Sequence, residues 1–162
     1  MSKQSLITDA AQAAARFGAA SDAVDSAAAA VLGVNRTDLR ILGLVLDAGA
    51  MAAGPLAAAA DLSPAATSTA IQRLVTAGYL RRDVDPGDRR RAVVTLTEVA
   101  AGLLRRIYGP IERAGRSELD RYPAAELTVI VDFLRRGERL QLDQAARIRR
   151  LRARSPRRSD QP

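Results

Sequence analysis

The segment from Asp85 to Thr97 constrains the fold of this chain more than any other part of its sequence. Pro86 presets φ at the second position of a turn, and Gly87 supplies the positive φ that a type II turn requires at the third position. Strand-forming residues follow, and Thr97 is suited to cap the N-terminus of a helix. The segment therefore predicts a hairpin with a tight turn that leads directly into a helix.

The predicted hairpin concentrates positive charge at its tip and along its base. Five arginines lie on or beside it: Arg81, Arg82, Arg89, Arg90 and Arg91. Aspartates interleave with them, which predicts that Asp83, Asp85 or Asp88 pins an arginine and so fixes the shape of the tip. An arginine at such a tip fits the DNA minor groove, whose potential is most negative over narrow A·T tracts. The alternative is a solvated surface hairpin whose ion pairs contribute little stability.

Arginine also dominates the charge of the whole chain, which has a formal net charge of +7. Lys3 is the only lysine, so 24 of the 25 basic residues are arginine. Because a guanidinium pairs bidentately with phosphates and with guanine edges, this composition favours an anionic partner. A GC-rich coding sequence gives the same abundance of alanine and arginine. The composition alone therefore does not distinguish an anionic partner from a coding bias, and the positions of the charges are needed.

The absence of cysteine and histidine excludes several classes of function. Thiol catalysis, disulfides and most zinc sites require these residues, and histidine is the commonest general acid–base group. The sequence also has no glycine-rich phosphate loop and no carboxylates paired for acid–base catalysis, so we expect neither an enzyme nor a bound cofactor or metal. Since no run of about twenty apolar residues and no signal peptide occurs, a cytoplasmic protein without membrane contact is expected.

Periodicity and turn residues along the chain predict a mainly helical protein with one small hairpin. The second helix begins at Asn35 or Thr37, and the sequence leaves this choice open because both residues are suited to N-caps. The fourth helix has Ser63 as N-cap and Pro64 as its first residue. The predicted buried face of the second helix is Leu39, Leu42, Val45 and Leu46. The predicted elements are a helix at 5–32, a second helix ending at 47–49, a short strand at 51–53, helices at 56–60 and 64–77, strands at 79–84 and 91–96, helices at 97–121 and 123–154, and a disordered tail at 155–162.

The outer face of the fourth helix is small, polar and free of carboxylates. On a helical wheel it carries Ala65, Ser68, Thr69, Gln72, Arg73 and Thr76. Acidic groups would repel phosphates, whereas Gln and Arg can hydrogen-bond adenine and guanine edges, so the face suits close approach to DNA. The N–H groups at the helix N-terminus can hold a phosphate without any side chain. The alternative is a face of tolerated surface residues. The predicted DNA contacts are Ser63, Ala65, Thr67, Ser68, Thr69, Gln72, Arg73, Arg89, Arg90 and Arg91.

These features resemble the MarR-type transcriptional regulators. The segment from Asp85 to Thr97 is similar to their wing signature: Asp, two variable residues, Asp-Arg-Arg, a short hydrophobic strand and Leu-Thr. Residues 56–63 and 71–80 are also similar to this family. The resemblance implies a mainly α fold with a small β-hairpin, namely a winged helix-turn-helix with N- and C-terminal dimerisation helices. The implied domains are an N-terminal dimerisation helix at 1–33, a DNA-binding lobe at 34–97, C-terminal dimerisation helices at 98–154 and a disordered tail at 155–162.

The resemblance further implies a homodimer that binds double-stranded DNA, most often as a repressor, with two recognition helices in successive major grooves of a near-palindromic operator. By position, Asp88 would hold the wing arginines, with Asp85 beside it, and Arg89 or Arg90 would reach the minor groove. Many members bind a small aromatic ligand that weakens DNA binding, and whether this chain has such an effector is left open. A winged helix that contacts proteins instead of DNA is the alternative function.

Apolar stripes on the outer helices also predict self-association. A helix of about 25 residues is about 38 Å long, and a small lobe does not cover a stripe of that length. The alternative is that these helices fold back within a monomer. The predicted dimer contacts are Phe17, Leu103, Ile107, Ile111, Leu127, Ile130 and Leu134.

A run of arginines lies near the C-terminus: Arg147, Arg149, Arg150, Arg152, Arg154, Arg157 and Arg158. Such a run can add phosphate contacts without sequence preference. It equally fits a solvated helix end, where cations interact favourably with the helix dipole. The sequence leaves these two interpretations open.

Overall fold

The computed structural model describes residues 1–84, 87 and 92–154, the last three of these by their backbone alone. The predicted wing arginines Arg89, Arg90 and Arg91 and the wing-organising Asp85 and Asp88 lie outside the described residues. The tail predicted at 155–162 lies outside them as well.

The described chain is mainly helical, with one small antiparallel sheet, as predicted. Its helices are α1 (Lys3–Leu32), α2 (Arg36–Ala48), α3 (Ala53–Ala60), α4 (Pro64–Thr76), α5 (Glu98–Leu119) and α6 (Ala124–Arg154), and its strands are β1 (Ala50–Ala52), β2 (Leu80–Val84) and β3 (Ala92–Leu96). The chain forms two compact units, Met1–Pro110 and Ile111–Pro162. The functional division at residues 33 and 97 stays a prediction.

Side-chain caps fix where the central helices begin. The Asn35 side chain accepts a hydrogen bond from the backbone N–H of Asp38 at 2.8 Å, so α2 begins after Asn35 and not after Thr37. Ser63 caps α4 in the same way, because its hydroxyl accepts the N–H of Ala66 at 3.2 Å. An oxygen that accepts one of the N–H groups left unpaired at a helix start stabilises that start by about 1 kcal/mol.

The sheet connects the hairpin to α5. Its strand order is β1-β3-β2, with both pairings antiparallel and Leu80 opposite Leu96. The Thr97 hydroxyl then accepts the N–H of Ala100 at 3.2 Å and donates to the Gly78 carbonyl at 2.7 Å. The predicted cap residue therefore begins α5 and also ties that helix start to the chain that enters β2.

The core of the first unit lies between α2, α3, α4 and the sheet. Its fully enclosed side chains include Ile41, Leu42, Val45, Leu56, Ile71, Leu74, Leu80 and Leu104. The prediction that Leu46 belongs to the buried face of α2 is wrong, since Leu46 is 43% exposed and lines an open cavity. Ile41, which the prediction omitted, is fully buried instead.

The two longest helices bury few side chains in the described chain. Among the 30 residues of α1, the buried ones are Ala28, Ala29 and Leu32. The 31-residue α6 exposes large apolar side chains along its length, including Phe133, Leu134 and Leu140. Among the described residues, no single helix is long and apolar enough to cross a membrane, and α1 and α2 meet that criterion only as a pair bent by 96°.

Candidate nucleic-acid interface

The outer face of α4 lines an open groove of about 710 Å³. Its lining residues are Ser68, Thr69, Gln72, Arg73, Thr76, Ala77 and Arg82. These residues come from α4, the turn after it and β2, and none is acidic. As the wheel predicted, this face is exposed, whereas Ala70, Ile71 and Leu74 on the opposite face are buried. The helix thus presents hydroxyl, amide and guanidinium groups to solvent while its apolar side holds it to the core.

Arg82 connects the base of the hairpin to this helix face. Its Nη2 donates a hydrogen bond to the Gln72 Oε1 at 3.4 Å. This contact places a strand residue beside the centre of α4 and uses one of the two acceptor positions of the Gln72 amide oxygen. The two N–H donors of that amide are then oriented away from Arg82. Sequence reasoning placed Arg82 at the hairpin base but did not predict its contact with α4.

Arg73 is held by a buried carboxylate on another helix. Its Nε donates to Asp38 Oδ2 at 2.8 Å, and its Nη2 donates to Asp38 Oδ1. The Asp38 side chain is 3% exposed and that of Arg73 is 48% exposed. Hydrogen bonding to Asp38 raises the pKa of Arg73 above its ordinary value. The guanidinium is therefore an anchor between α2 and α4, with its remaining N–H groups on the exposed side.

Thr67 does not belong to the exposed face, although it was among the predicted DNA contacts. It is 1% exposed, and its hydroxyl donates to the Ser63 carbonyl at 3.0 Å. Thr67 lies three and four residues before Ala70 and Ile71, which is the spacing of neighbours on one helix face. That spacing was visible in the sequence and places Thr67 with the core. Its side chain cannot contact DNA from this position.

A three-residue network stabilises the base of the hairpin. The Thr95 hydroxyl on β3 donates to Asp83 Oδ2, and the Arg81 Nε donates to the same oxygen at 2.8 Å. The hydrogen bond from Thr95, then that from Arg81, lowers the pKa of Asp83. Asp83 therefore holds Arg81 at the base of the hairpin, while the predicted pinning of an arginine at the tip falls on residues outside those described.

A second cavity, of about 630 Å³, lies between α1, α2 and α5 in the first unit. Its charged and aromatic lining residues are Asp25, Arg36, Arg40, Asp47 and Tyr108. The Tyr108 hydroxyl donates to Asp25 Oδ1 at 2.9 Å, and burial together with this hydrogen bond raises the pKa of Tyr108 to about 12. Sequence reasoning missed this cavity, because Asp25 and Tyr108 are 83 residues apart and no local pattern links them. Among the described residues, no cluster of His, Cys, Asp or Glu could hold a metal ion.

The predicted dimer residues fall into two groups. Phe17 is 72% exposed, and Ile111 and Leu134 are exposed as well. Leu103 and Ile107 instead pack against the core of the first unit and are only partly accessible. Leu127 and Ile130 on α6 are also partly buried.

Residues 32–91 match the model of the MarR family, and this segment contains α2, α3, α4, β1 and β2. Over this segment the chain matches the MarR family of transcriptional regulators. A curated relative from Bacillus subtilis (strain 168), the uncharacterized HTH-type transcriptional regulator YcgE, is 29% identical over 123 residues. That alignment covers 76% of this chain and 80% of the relative.

Solved structures show the same fold. RV1404 from Mycobacterium tuberculosis is similar with a TM-score of 0.61 at 22% identity, covering 86% of this chain and 94% of that one. The wild-type MarR protein of E. coli in its apo form is similar with a TM-score of 0.52 at 19% identity, covering 84% and 96%. The predicted winged helix-turn-helix fold is thereby confirmed.

Proposed function

We propose that this protein is a homodimeric repressor that binds a near-palindromic operator through α4 and the hairpin. The observation that carries the proposal is the exposed face of α4, which is free of carboxylates and continues into Arg82 on β2. Ser68, Thr69 and Gln72 on this face offer hydrogen-bonding groups to the base edges of a major groove. The proposal omits Thr67 because it is buried.

The roles within this surface follow from how each side chain is held. Gln72 is the best candidate for reading a base, since Arg82 fixes its amide. The Nε and Nη2 groups of Arg73 are bonded to Asp38, so its remaining N–H groups suit a phosphate better than a base edge. Ser63 and Ala65 supply backbone N–H groups for a second phosphate, because Pro64 has no N–H and the N–H of Ala66 is bonded to Ser63 Oγ. In the proposal, Arg89, Arg90 and Arg91 contact the minor groove and Asp85 and Asp88 orient them.

Dimerisation is proposed from the uncovered apolar residues on the long helices. A helix of 30 residues, the length of α1, measures about 45 Å. Phe17 lies near its middle and is 72% exposed, and α6 exposes Phe133 and Leu134. Large apolar side chains left exposed on long helices favour an interaction site on each of these helices. Two-fold symmetry would then set the two α4 helices about 34–36 Å apart, which is one turn of DNA.

An effector site is proposed in the cavity between α1, α2 and α5. Its volume of about 630 Å³ lies within the usual range for small-molecule pockets. Arg36 and Arg40 provide positive charge, and Tyr108 with Asp25 provides a polar pair. A ligand here would contact both the lobe that carries α4 and the helix that follows the hairpin. Such a ligand would release the protein from DNA by favouring a different placement of these helices.

The decisive experiment is selection of bound fragments from genomic DNA with the purified protein. The proposal expects enrichment of a site with two inverted half-sites, and loss of the enrichment with Gln72→Ala. A matched control is Gln141→Ala, which removes an exposed amide on α6. Recovery of no common site would overturn specific DNA binding and favour a protein-interaction module. Sedimentation that shows a monomer at micromolar concentration would contradict the proposed dimer. Reporter expression from the bound promoter that increases with the amount of protein would indicate an activator instead of a repressor.

A further inference from the structure

Gly43 opens a gap in the wall that α2 contributes to the cavity between α1, α2 and α5. It lies in the middle of α2 and lines this cavity of about 630 Å³. A Cβ atom added to Gly43 would meet no atom of another helix within 4 Å, so the space beside it is open. Because glycine is less favourable than alanine inside a helix, this residue lowers the stability of α2. The folding of the helix therefore does not explain the gap.

The four residues that surround Gly43 on the surface of α2 all line the same cavity. They are three or four positions away from it, which is the spacing of neighbours on a helix face. Two are apolar and two carry opposite charges: Leu39, Leu46, Arg40 and Asp47. Arg40 and Asp47 are seven positions apart, so they lie on one line along α2, about 10 Å from each other. The gap thus runs from a cation to an anion and has apolar sides.

The guanidinium of Arg40 is oriented by a contact that does not neutralise it. Its Nη2 donates a hydrogen bond to the Ala59 carbonyl at 3.1 Å, and a carbonyl carries no net charge. Within the described chain Arg40 forms no ion pair. The other arginine of the cavity, Arg36, pairs with Asp22 at 2.7 Å. Arg40 is therefore the group of this cavity that is available to an anion.

The carboxylate of Asp47 is exposed and has no cation beside it. In the part of the chain that the structure describes, Asp47 forms no ion pair. It lies in the last turn of α2, where the helix dipole disfavours an anion. The other carboxylate of the cavity, Asp25, already accepts a hydrogen bond from Tyr108 at 2.9 Å. Asp47 is therefore the carboxylate that is available to a cation.

We infer that this cavity binds a small zwitterion, with an anionic group at Arg40, an ammonium group at Asp47 and an apolar chain over Gly43. Both charged contacts are charge-assisted hydrogen bonds, which are stronger than neutral ones. Leu39 and Leu46 contact the chain from its two sides. The inference rests on the proposed effector site and adds the chemical class of its ligand. A ligand with a single charge would satisfy only one end of the gap.

The test uses three probes that share one hydrocarbon chain: ω-aminooctanoate, octanoate and octylamine. The extended chain of ω-aminooctanoate separates its carboxylate and ammonium groups by about 10 Å. Isothermal titration calorimetry with the full-length protein, in the absence of DNA, measures the dissociation constant of each probe. ω-Aminooctanoate should bind about tenfold more tightly than either single-charge probe, because each of them lacks one hydrogen bond between charged groups.

Two variants separate the ends of the site. Arg40→Gln should weaken binding of ω-aminooctanoate and octanoate about tenfold without weakening that of octylamine. Asp47→Asn should weaken binding of ω-aminooctanoate and octylamine about tenfold without weakening that of octanoate. Arg113→Gln and Asp120→Asn remove exposed charges that do not line the cavity, and should leave all three dissociation constants unchanged.

Gly43→Leu tests the gap between the charges. Its side chain enters the open space and leaves both charges in place, so binding of all three probes should be lost. The free energy of unfolding in urea should not fall, because leucine is a better helix former than glycine. Gly115→Leu, at an exposed position on α5 with the same open surroundings, is the matched control and should keep the binding.

Equal affinity for octanoate and ω-aminooctanoate would overturn the inference and indicate a site for anions alone. An unchanged affinity of Asp47→Asn for ω-aminooctanoate, or no saturation of the unmodified protein by about 10 mM of this probe, would overturn it as well. Because the titrations contain no DNA, their outcome does not depend on operator recognition. If ω-aminooctanoate binds as expected but does not weaken DNA binding, the effector role in the proposed function fails and the ligand class remains.

Discussion

Arg73 on α4 holds the buried carboxylate of Asp38 on α2 through two hydrogen bonds. The two residues are 35 positions apart in the sequence, and their contact joins α4, the proposed recognition helix, to α2. Asp38 also donates its backbone N–H to the Asn35 cap, so one residue fixes both the start of α2 and the position of α4. The placement of the exposed face of α4 relative to α2 thus depends on this contact.

Removal of Arg73 is expected to destabilise the fold as well as weaken DNA binding. Arg73→Ala leaves the Asp38 carboxylate buried without its partner, and an unsatisfied buried acceptor costs about 1–3 kcal/mol. Urea unfolding followed by circular dichroism measures this cost. The double variant Asp38→Asn/Arg73→Gln replaces the ion pair by neutral groups that can still hydrogen-bond, and should recover part of the stability. Unfolding midpoints equal to that of Arg116→Ala, whose ion pair is exposed, would contradict a structural role.

Arg82 is expected to influence which base pair α4 prefers, through Gln72. With Arg82→Ala the Gln72 amide loses its neighbour at 3.4 Å and is free to reorient. A well-placed amide discriminates between bases by about 1–3 kcal/mol, so preference at one operator position should fall by roughly 5- to 150-fold. Binding-site selection with the variant measures this change. Arg82→Lys keeps the positive charge and serves as the control for simple phosphate attraction.

If Arg82 contributes charge alone, Arg82→Lys should behave like the unmodified protein, and Arg82→Ala should weaken binding to all sequences equally. That outcome would reject the orienting role. A change in base preference with both Arg82→Ala and Arg82→Lys would support the orienting role of Arg82.

The fold could be inferred because its signals are local. Ser63-Pro64 and Thr97 mark helix starts through side chains that reach only three residues along the chain, and the structure places both caps where the sequence did. The sequence did not distinguish Asn35 from Thr37, since either side chain can cap a helix, and the structure shows Asn35 as the cap.

The site was predicted only in part, because its decisive contacts are not local. The exposed face of α4 follows from helical periodicity, and the same periodicity should have excluded Thr67. The Asp38–Arg73 and Asp25–Tyr108 contacts join residues that only the folded chain brings together. A buried aspartate is also the opposite of what its residue type suggests, since unpaired charge is costly to bury.

Low pH is expected to loosen the base of the hairpin through Asp83. Its folded pKa is lowered, first by the hydrogen bond from Thr95 and then by that from Arg81. This stabilisation is fully present above the ordinary pKa of 3.8 and is lost as the pH falls through the lower folded value. Thermal unfolding between about pH 5 and 2 should therefore depend less on pH in Asp83→Asn than in the unmodified protein. Parallel pH dependence in the two proteins would contradict the assignment, and Thr95→Val should give an intermediate response.

Self-association is expected to depend on Phe17. Burying a phenylalanine side chain contributes about 2 kcal/mol, and a symmetric dimer buries two copies, so Phe17→Ala should weaken association roughly a thousandfold. Sedimentation equilibrium over a range of concentrations measures the dissociation constant. Val84→Ala is the matched control, because Val84 is also an exposed apolar residue but lies on β2. An unchanged dissociation constant for Phe17→Ala would contradict a role for Phe17 in the dimer.

Tyr108 is expected to ionise at unusually high pH. Burial, and then its hydrogen bond to Asp25, raises the pKa of Tyr108 from 10.0 to about 12. The folded state favours the neutral phenol, so this contribution to stability is fully present below pH 10 and is lost as the pH rises towards 12. The difference in phenolate absorbance between the unmodified protein and Tyr108→Phe isolates this one titration. Asp25→Asn should lower the midpoint only part of the way, because burial is the larger cause and remains. A titration midpoint near 10 in the unmodified protein would show that Tyr108 is solvated. The hydrogen-bonded pair of Tyr108 and Asp25 would then no longer support the proposed effector cavity.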